Sequence, residues 1–304
     1  MSRPTRETAA GRAYLDLQNR ARRERRGTQE LLTIYVVERW LARLSRSPYA
    51  NDFILKGGML LAAFGSRRPT VDADALARNM AADQETVRQR VTEIASIDDP
   101  DDGVEYLTGT AATAVIRDDA LYSGVRVTMT AQIATAQVKL RLDINFGDPV
   151  TPGPQMINLP ALRPGAEAIR VLGYPIETVL AEKLATAIEL GPASTRVRDY
   201  ADIFVLTGTQ TLGCASVRAA LAATAAFRGT NIRPLSDAIE DIVALRARTY
   251  TAYRRGLGPD AERLPEHFEQ VVQAVTAFAD PLIKAVGPGD TWNPRHRRWE
   301  KTTR

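Results

Sequence analysis

The sequence predicts an α+β fold, in which a mixed sheet with helices precedes a helical C-terminal region. Strand-like and helical segments alternate between residues 52 and 173, whereas the hydrophobic pattern from Ile176 onward is almost entirely helical. We therefore expect three regions. They are an N-terminal basic arm and helix at 1–50, a mixed core at 51–175, and a helical domain with a basic tail at 176–304.

The first elements follow from hydrophobic periodicity and from residues that end helices. Residues 28–46 are predicted to form an amphipathic helix that ends before Pro48. The segment "DFILKGG" is a short strand that runs into a glycine pair, and "LLAAFG" is a helical piece closed by Gly65. The segment "PTVDADALA" is strand-like, and "AADQETVRQRVTEIAS" is a helix that begins near Ala82 or Asp83.

The later elements show the same two periods. The segments "ATAVIR", "VRVTMTAQI" and "QVKLRLDINFG" are rich in strand-forming residues, and "DPVTPGPQ" is a loop. Beyond Ile176, glycine and proline break the helical pattern at Gly191–Pro192, at Gly229, between Gly256 and Pro259, and at Pro281.

Composition excludes several classes of protein. Hydrophobic residues make up 44% of the 304 residues and charged residues 25%, which is ordinary for a globular protein. A single cysteine, Cys214, excludes an intrachain disulfide and a zinc site built from cysteines. With only His267 and His296, a histidine-based hydrolase is not expected. No apolar run approaches the roughly 18 residues of a membrane span, and no signal peptide is visible, so we expect a cytoplasmic protein without a membrane partner.

Positive charge is concentrated near the two ends of the chain. The net charge is +4, and basic residues cluster at 20–26 ("RARRERR") and 295–304 ("RHRRWEKTTR"). Two interpretations are open: disordered, solvated termini, or electrostatic attraction to nucleic-acid phosphates.

Two aspartates stand one residue apart in the strand-like segment "RPTVDADALA". In an extended strand, Asp72 and Asp74 would point to the same face, where like charges repel each other. A third carboxylate, Asp143, lies in the strand "KLRLDINFG". Three carboxylates from neighbouring strands can hold two hard divalent cations, which serve phosphoryl or nucleotidyl transfer. The alternative is that Asp143 is an edge-strand residue paired with an arginine.

A glycine pair precedes these aspartates. Gly57 and Gly58 follow a strand and precede a short helix, and residues 59–71 separate them from Asp72. Glycine there allows the backbone to approach a phosphate closely at a helix N-terminus. The order of the glycine pair, the D-x-D segment and a later hydrophobic strand with an aspartate resembles the signature of polymerase-beta-like nucleotidyltransferases.

Two C-terminal helices carry charged residues on their apolar faces. In "PIETVLAEKLATAIELG", Lys183 lies in the middle of the apolar arc, and a buried lysine should point into a polar cleft or at an anion. In "STRVRDYADIFVL", Arg196 and Asp199 share the apolar sector, whereas Arg198 faces away, so the first two could form an i,i+3 ion pair. Arginine greatly outnumbers lysine in this chain, which favours a specific role for Lys183, such as a phosphate contact.

Together, the segments "FILKGGMLL", "RRPTVDADAL", "LRLDINFGD", "ETVLAEKLATAIE" and "TRVRDYADIFVL" resemble the AbiEii toxins and their MenT relatives, which are nucleotidyltransferases of toxin–antitoxin and phage-defence systems. The resemblance implies a polymerase-beta-like nucleotidyltransferase core followed by a C-terminal helical bundle. It departs from the superfamily pattern at Gly57–Gly58, where Gly-Ser is common. Some relatives carry a serine just after the glycine pair, and phosphorylation of that serine inactivates them. This chain has Met59 and Leu60 there, so control by phosphorylation is not expected.

The resemblance also implies roles for individual residues. Asp72 and Asp74 match the metal-binding D-x-D, and Lys183 matches the lysine that contacts the triphosphate. Asp199 matches the essential aspartate of an Arg-x-x-Asp-x-x-Asp segment, in which Arg196 and Asp202 take the flanking positions.

The remaining expected contacts concern the phosphates and the second cation. Lys56, Gly57, Gly58 and Arg196 are expected to bind the nucleotide together with Lys183. Asp143 is expected to help bind a second Mg²⁺ and to accept the proton of the acceptor hydroxyl.

The function implied by the resemblance is that of a Mg²⁺-dependent toxin. It would add nucleotides from a nucleoside triphosphate to the 3′ end of tRNA and so block aminoacylation and translation. Its partners would be tRNA, the triphosphate and a cognate AbiEi-like antitoxin. Two alternatives are open: a nucleotidyltransferase that modifies a hydroxyl of a protein or small molecule, and a non-catalytic nucleotide- or RNA-binding protein of the same fold.

Overall fold

The computed structural model of the chain describes residues 3–70, 72–118, 122–284 and 286–301. It divides into two compact units. The first comprises Met1–Gly147 with Gln155–Gly173, and the second comprises Asp148–Pro154 with Tyr174–Arg304. The α+β class expected from the sequence is confirmed. The division into three regions stays a prediction.

The first unit carries most of the sheet. Its elements in chain order are α1 (Ala9–Glu24), α2 (Thr28–Arg46), β1 (Phe53–Lys56), α3 (Gly57–Leu60), a 3₁₀ turn (Leu61–Phe64), β2 (Ala73–Ala77), α4 (Gln84–Ala95), β3 (Glu105–Asp118), β4 (Tyr122–Ile133), β5 (Ala136–Phe146), β6 (Gln155–Leu159) and β7 (Ile169–Gly173). Helix α2 has the predicted bounds, and α4 begins after Asp83, whose side chain accepts a hydrogen bond from the Thr86 N–H at 2.8 Å. Helix α1 and strands β6 and β7 were not predicted.

Seven strands of the described residues form one mixed sheet, in the order β3-β4-β5-β2-β1-β7-β6. Strand β2 runs parallel to β5, and β1 runs parallel to β7, whereas the other neighbours are antiparallel. Strands β2 and β5, which carry the D-x-D segment and the third aspartate, are therefore direct neighbours inside the sheet. The interpretation of Asp143 as an edge-strand residue is wrong, because β5 lies between β4 and β2.

Helix α2 covers this sheet with an apolar face. The ring of Trp40 meets the Phe53 ring of β1 edge-on at 5.8 Å, and its Nε1 donates a hydrogen bond to the Val91 carbonyl of α4 at 3.2 Å. From β3, Tyr106 Oη donates to the Val36 carbonyl at 2.6 Å. The helix is thus fixed to both strand and helix neighbours, and it supports the strands that carry the aspartates.

The basic segment 20–26 is ordered, so the interpretation of a disordered arm is wrong there. Helix α1 continues through Glu24, and it buries Leu17 and Ala21. Arg20 pairs with Glu24 at 2.7 Å, because the two residues lie one helical turn apart. The arm is therefore part of the first unit.

The second unit is mainly helical. Its elements are α5 (Ile176–Leu190), a 3₁₀ turn (Gly191–Ala193), α6 (Val197–Thr207), β8 (Leu212–Gly213), α7 (Cys214–Arg228), α8 (Leu235–Ala238), α9 (Ile242–Gly256), a 3₁₀ turn (Gly258–Arg263), α10 (Phe268–Lys284), β9 (Thr291–Asn293) and β10 (Arg298–Glu300). The predicted breaks after α5, α7 and α9 are confirmed. No helix of the described part of the chain is long and apolar enough to cross a membrane.

Two features of the second unit differ from what the sequence predicts. Strands β8, β9 and β10 form a small antiparallel sheet where a helical pattern was expected. The predicted break at Pro281 is wrong, because α10 continues to Lys284. Pro281 lies in the last turn, and the burial of Phe278 and Leu282 on either side outweighs the single hydrogen bond that proline cannot donate.

The aromatic residues explain why the small sheet forms. Trp292 of β9 is buried, its Nε1 donates to the Thr207 carbonyl at 2.7 Å, and its ring lies 5.0 Å from that of Phe278. Trp299 of β10 stacks on the other side of this cluster, 5.3 Å from Phe278. The basic tail is therefore anchored through residue 301, the last residue that the structure describes.

Candidate active site

Four charged residues form one row across adjacent strands of the first unit. Lys56 of β1 is the register partner of Asp74 of β2, Asp74 is the partner of Asp143 of β5, and Asp143 is the partner of Arg126 of β4. Register partners project from the same face of a sheet. The row therefore places two carboxylates between two basic residues.

Arg126 holds Asp143 in a bidentate ion pair. Its Nε donates to Oδ1 at 2.7 Å and its Nη2 donates to Oδ2 at 2.6 Å. Asp143 is only 8% exposed, so this pair supplies the countercharge that a buried carboxylate needs. The arginine partner weighed for Asp143 in the sequence analysis is therefore confirmed, although Arg126 itself was not identified.

Arg126 also interacts electrostatically with Asp72 and Asp74. Its hydrogen bonds to Asp143 raise the pKa of Arg126 above its usual value, and the negative charges of Asp143, Asp72 and Asp74 add to this shift. The guanidinium thus lies within the field of all three carboxylates. The raised pKa keeps the Arg126 guanidinium positively charged.

Asp72 lies just before strand β2 and is held by its own loop. Thr70 Oγ1 donates a hydrogen bond to Asp72 Oδ1 at 3.0 Å. The predicted strand over "PTVDADALA" is thus shorter than expected, since β2 begins at Ala73, and Val71 lies outside the described residues. Of the two aspartates in the D-x-D segment, Asp72 therefore lies immediately before β2 and Asp74 lies within it.

The glycine pair makes room for this segment. Gly57 has a φ of +66°, and a Cβ there would lie 1.8 Å from Asp74 Oδ2, so a larger residue cannot occupy the position without moving the carboxylate. A Cβ on Gly58 would lie 2.9 Å from Thr70 Oγ1. The close approach of Asp74 and Thr70 to the backbone therefore accounts for both glycines. The expected phosphate contact of Gly57 and Gly58 stays a prediction.

In the second unit, Lys183 of α5 is shared by two aspartates of α6. Its Nζ donates to Asp199 Oδ1 at 2.6 Å and to Asp202 Oδ2 at 2.8 Å. The side chains of the three residues are 15%, 11% and 4% exposed, respectively. Lys183 thus points at two carboxylates, and its expected contact with the triphosphate stays a prediction.

The charge state of Asp199 follows from this arrangement. Burial alone would raise the pKa of Asp199, but the ammonium of Lys183 and, more weakly, the charges of Arg198 and Arg196 hold it below its usual value. Asp199 is therefore ionised at neutral pH. Lys183 is thus an ion-pair partner of Asp199 that the sequence did not indicate, and Arg196 stands at the N-cap of α6, where its charge also favours the ionised carboxylate.

The three carboxylates of the first unit fit a hard divalent cation by their chemistry. Mg²⁺ prefers carboxylate oxygens, and Asp74 and Asp143 stand side by side, with Asp72 two residues before Asp74 in the chain. Within the ranges that the structure describes, no three Asp, Glu, His or Cys side chains are grouped as they would be around a metal ion. A positive group, the Arg126 guanidinium, instead meets Asp143. The assignment of Asp72, Asp74 and Asp143 as metal ligands stays a prediction.

The mixed sheet and its D-x-D segment are those of a nucleotidyltransferase-like protein. The family model described as nucleotidyl transferase AbiEii toxin of a type IV toxin–antitoxin system matches residues 39–274, and the chain belongs to this family. The family resemblance read from the sequence motifs is thereby confirmed. No curated protein matches the chain.

The solved structures to which this chain is similar include one toxin and two chains from Helicobacter pylori. MenT4, a nucleotidyltransferase toxin from Mycobacterium tuberculosis H37Rv, is 16% identical, and the match covers 88% of this chain and 98% of that chain with a TM-score of 0.49. A putative nucleotidyltransferase from Helicobacter pylori is 14% identical, and the match covers 85% of this chain and 96% of that chain with a TM-score of 0.47. JHP933 from Helicobacter pylori is also 14% identical, and the match covers 82% of this chain and 93% of that chain with a TM-score of 0.44.

The first prediction concerns Gly57. We expect Gly57→Ala to lower the free energy of unfolding by at least about 2 kcal/mol, because the left-handed backbone and the clash with Asp74 both oppose a side chain. Gly65→Ala is the matched control, since Gly65 has a φ of +72° but nothing within 4 Å of its added Cβ. Equal losses in urea denaturation of the two variants would contradict the proposed contact.

The second prediction concerns Lys183. At neutral pH we expect Lys183→Met to cost about 3–5 kcal/mol of unfolding free energy, because it removes the ammonium from two buried carboxylates. Lys284→Met removes the exposed Lys284–Asp237 contact, at 3.9 Å, and should change stability by less than about 0.5 kcal/mol. A Lys183 variant as stable as this control would contradict the cluster.

Acid should narrow the difference between wild type and Lys183→Met. The folded pKa of Asp199 lies below its unfolded value, so the stabilisation by Lys183 is present above the unfolded pKa and is lost as the pH falls through the folded pKa. Urea denaturation at a series of pH values from neutrality downward measures this. A difference that does not depend on pH would show that Asp199 is not the group stabilised.

Proposed function

We propose that this protein is a toxin nucleotidyltransferase that transfers a nucleotide from a nucleoside triphosphate to the 3′ end of tRNA. The observation that carries the proposal is the register of Asp74 and Asp143 on the neighbouring strands β2 and β5, in a chain of the AbiEii family whose D-x-D segment also contains Asp72. Like charges held side by side within a sheet are costly, and a divalent cation that joins a triphosphate offsets this cost.

The roles of the chain's own residues follow from their chemistry. Bound Mg²⁺ would neutralise the triphosphate and stabilise the attacking and leaving oxygens. Asp72 and Asp74 would hold the cation and thereby orient the triphosphate. Asp143 would help hold a second cation. It would also accept the proton of the acceptor hydroxyl while the hydroxyl oxygen forms its bond to the α-phosphorus. The bond from that phosphorus to the β-phosphate oxygen breaks, and pyrophosphate leaves.

Several observations favour a nucleic-acid acceptor. The net charge is +4, and Arg22, Arg23 and Arg25 are exposed on or just after helix α1. Ordered basic side chains attract phosphates, and this attraction weakens with salt. A hydroxyl of a protein or a small molecule is the second candidate acceptor. The cognate antitoxin and a cytoplasmic location belong to the same proposal, since both follow from the toxin family.

The other nucleotide contacts in the proposal are carried over from the family resemblance. They are Lys56, Gly57, Gly58, Lys183 and Arg196, with Asp199 as an essential aspartate. Lys56 is supported by its place opposite Asp74, and Lys183 by its partly buried ammonium. A phosphate contact of Lys183 would draw it from Asp199 and Asp202, so its loss should weaken nucleotide binding as well as the fold.

The experiment that tests the proposal is an incubation of the purified protein with total tRNA, Mg²⁺ and each α-labelled nucleoside triphosphate in turn. We expect label on tRNA with at least one nucleotide. Label on protein alone would favour the second acceptor class, and no label with any nucleotide would contradict catalysis.

The third prediction concerns Asp74. We expect Asp74→Asn to lower transfer by at least about a hundredfold, because the group that orients the triphosphate is lost. The fold should hold, since one of two adjacent like charges is removed. Arg170→Gln, an exposed change on β7 of the same sheet, should leave transfer unchanged. An active Asp74→Asn protein would contradict the proposed site.

The fourth prediction concerns ligand binding. Mg²⁺ with the preferred nucleotide should raise the melting temperature, because a ligand that binds only the folded state stabilises it by about 2.7 kcal/mol at a hundred times its Kd. EDTA should cancel the shift, and Asp74→Asn should not show it. A shift that persists in EDTA would place nucleotide binding elsewhere.

A further inference from the structure

Arg126 occupies the third carboxylate of the proposed cation site. We propose that Arg126 is a built-in counterion that competes with the divalent cation for Asp143, so that cation binding requires this ion pair to open. The inference rests on the proposed function only in taking Asp72, Asp74 and Asp143 as the cation site. It makes Arg126 a positioning residue, which sets the affinity of the site rather than the chemistry.

Arg126 and Asp143 form a forked ion pair. Both oxygens of Asp143 accept a hydrogen bond from Arg126, at 2.7 and 2.6 Å, in the parallel arrangement that suits a guanidinium and a carboxylate best. A divalent cation on the same oxygens would meet a positive group at close range, and the two would repel each other. Asp143 can therefore serve the metal fully only when Arg126 moves away.

Arg126 is the more exposed partner of the ion pair. Its side chain is 36% exposed, whereas that of Asp143 is 12% exposed. The guanidinium can therefore rotate into the solvent after the pair opens, and its hydration offsets part of the free energy lost with the ion pair. Asp143 has no such route, because its strand lies between β4 and β2 and its register fixes it beside Asp74.

Asp143 needs a countercharge when no metal is bound. Asp143 is buried next to Asp74, and a buried carboxylate without a partner is strongly destabilising. Arg126 meets this need when no metal is bound. The same contact therefore stabilises the metal-free fold and weakens metal binding, and these two effects should change together in a variant.

The chain offers a matched comparison in Arg141. It lies two residues before Asp143 on β5, so its side chain projects from the same face of the sheet as that of Asp143. It carries the same positive charge as Arg126. Its Nε is buried and makes no hydrogen bond to any residue that the structure describes. Removing Arg141 changes the local field without opening the Asp143 pair, which separates general electrostatics from competition for the carboxylate.

The test, which is the fifth prediction, is calorimetric titration of the full-length, EDTA-treated protein with Mn²⁺. We expect Arg126→Gln to lower the apparent Kd about tenfold, because it removes a charge-assisted hydrogen-bonded pair. It should also lower the melting temperature in EDTA. Arg141→Gln should lower the Kd by less, and Asp74→Asn should abolish binding.

The outcomes distinguish the inference from the proposed function. An unchanged Kd in Arg126→Gln, or an equal fall of the Kd in Arg141→Gln, would overturn the inference. The proposed cation site would still hold in that case if binding is lost in Asp74→Asn. No saturable binding in wild type or in Arg126→Gln would overturn both. If Arg126→Gln does not fold, Arg126→Lys decides the matter. Lysine keeps the charge but cannot form the forked pair, so affinity should still rise, and no rise would contradict the inference.

Discussion

Two carboxylates held side by side on neighbouring strands set the constraint on which the first unit depends. Asp74 and Asp143 are register partners inside the sheet, where each needs a nearby positive charge. The chain answers with Arg126, which binds Asp143, and with Lys56, the register partner of Asp74. Gly57 supplies the space for the Asp74 carboxylate. Residues of the nucleotidyltransferase signature thus have structural roles before any nucleotide binds.

The two units treat a buried charge in the same way. In the first, Arg126 holds a carboxylate expected to serve a metal, and in the second, Asp199 and Asp202 hold a lysine expected to serve a phosphate. In each case the residue given a catalytic role has an intramolecular partner of opposite charge. Substrate binding would then be an exchange of ion pairs. Its net free energy is smaller than the new contacts alone suggest, because the old contacts are lost.

The local sequence pattern predicted much of the fold, and it singled out most residues of the candidate site. The bounds of α2, the start of α4 after Asp83 and the alternation of β5 all follow from residues close in sequence. Arg126 could not be found this way, because only the pairing of β4 with β5 brings it to Asp143. The partners of Lys183 likewise depend on how α5 meets α6. Strands β8 to β10 were missed because two or three residues carry no periodicity, and the burial of Trp292 decides their structure.

The most direct test of the central claim, that these aspartates form a cation site, is an anomalous-difference map from crystals grown with Mn²⁺ and a non-hydrolysable nucleoside triphosphate. We predict a manganese peak in contact with Asp72 and Asp74, with the Arg126 guanidinium no longer forked on Asp143. A map without a peak at these aspartates, with Arg126 still bound to Asp143 and nucleotide present elsewhere, would contradict the account.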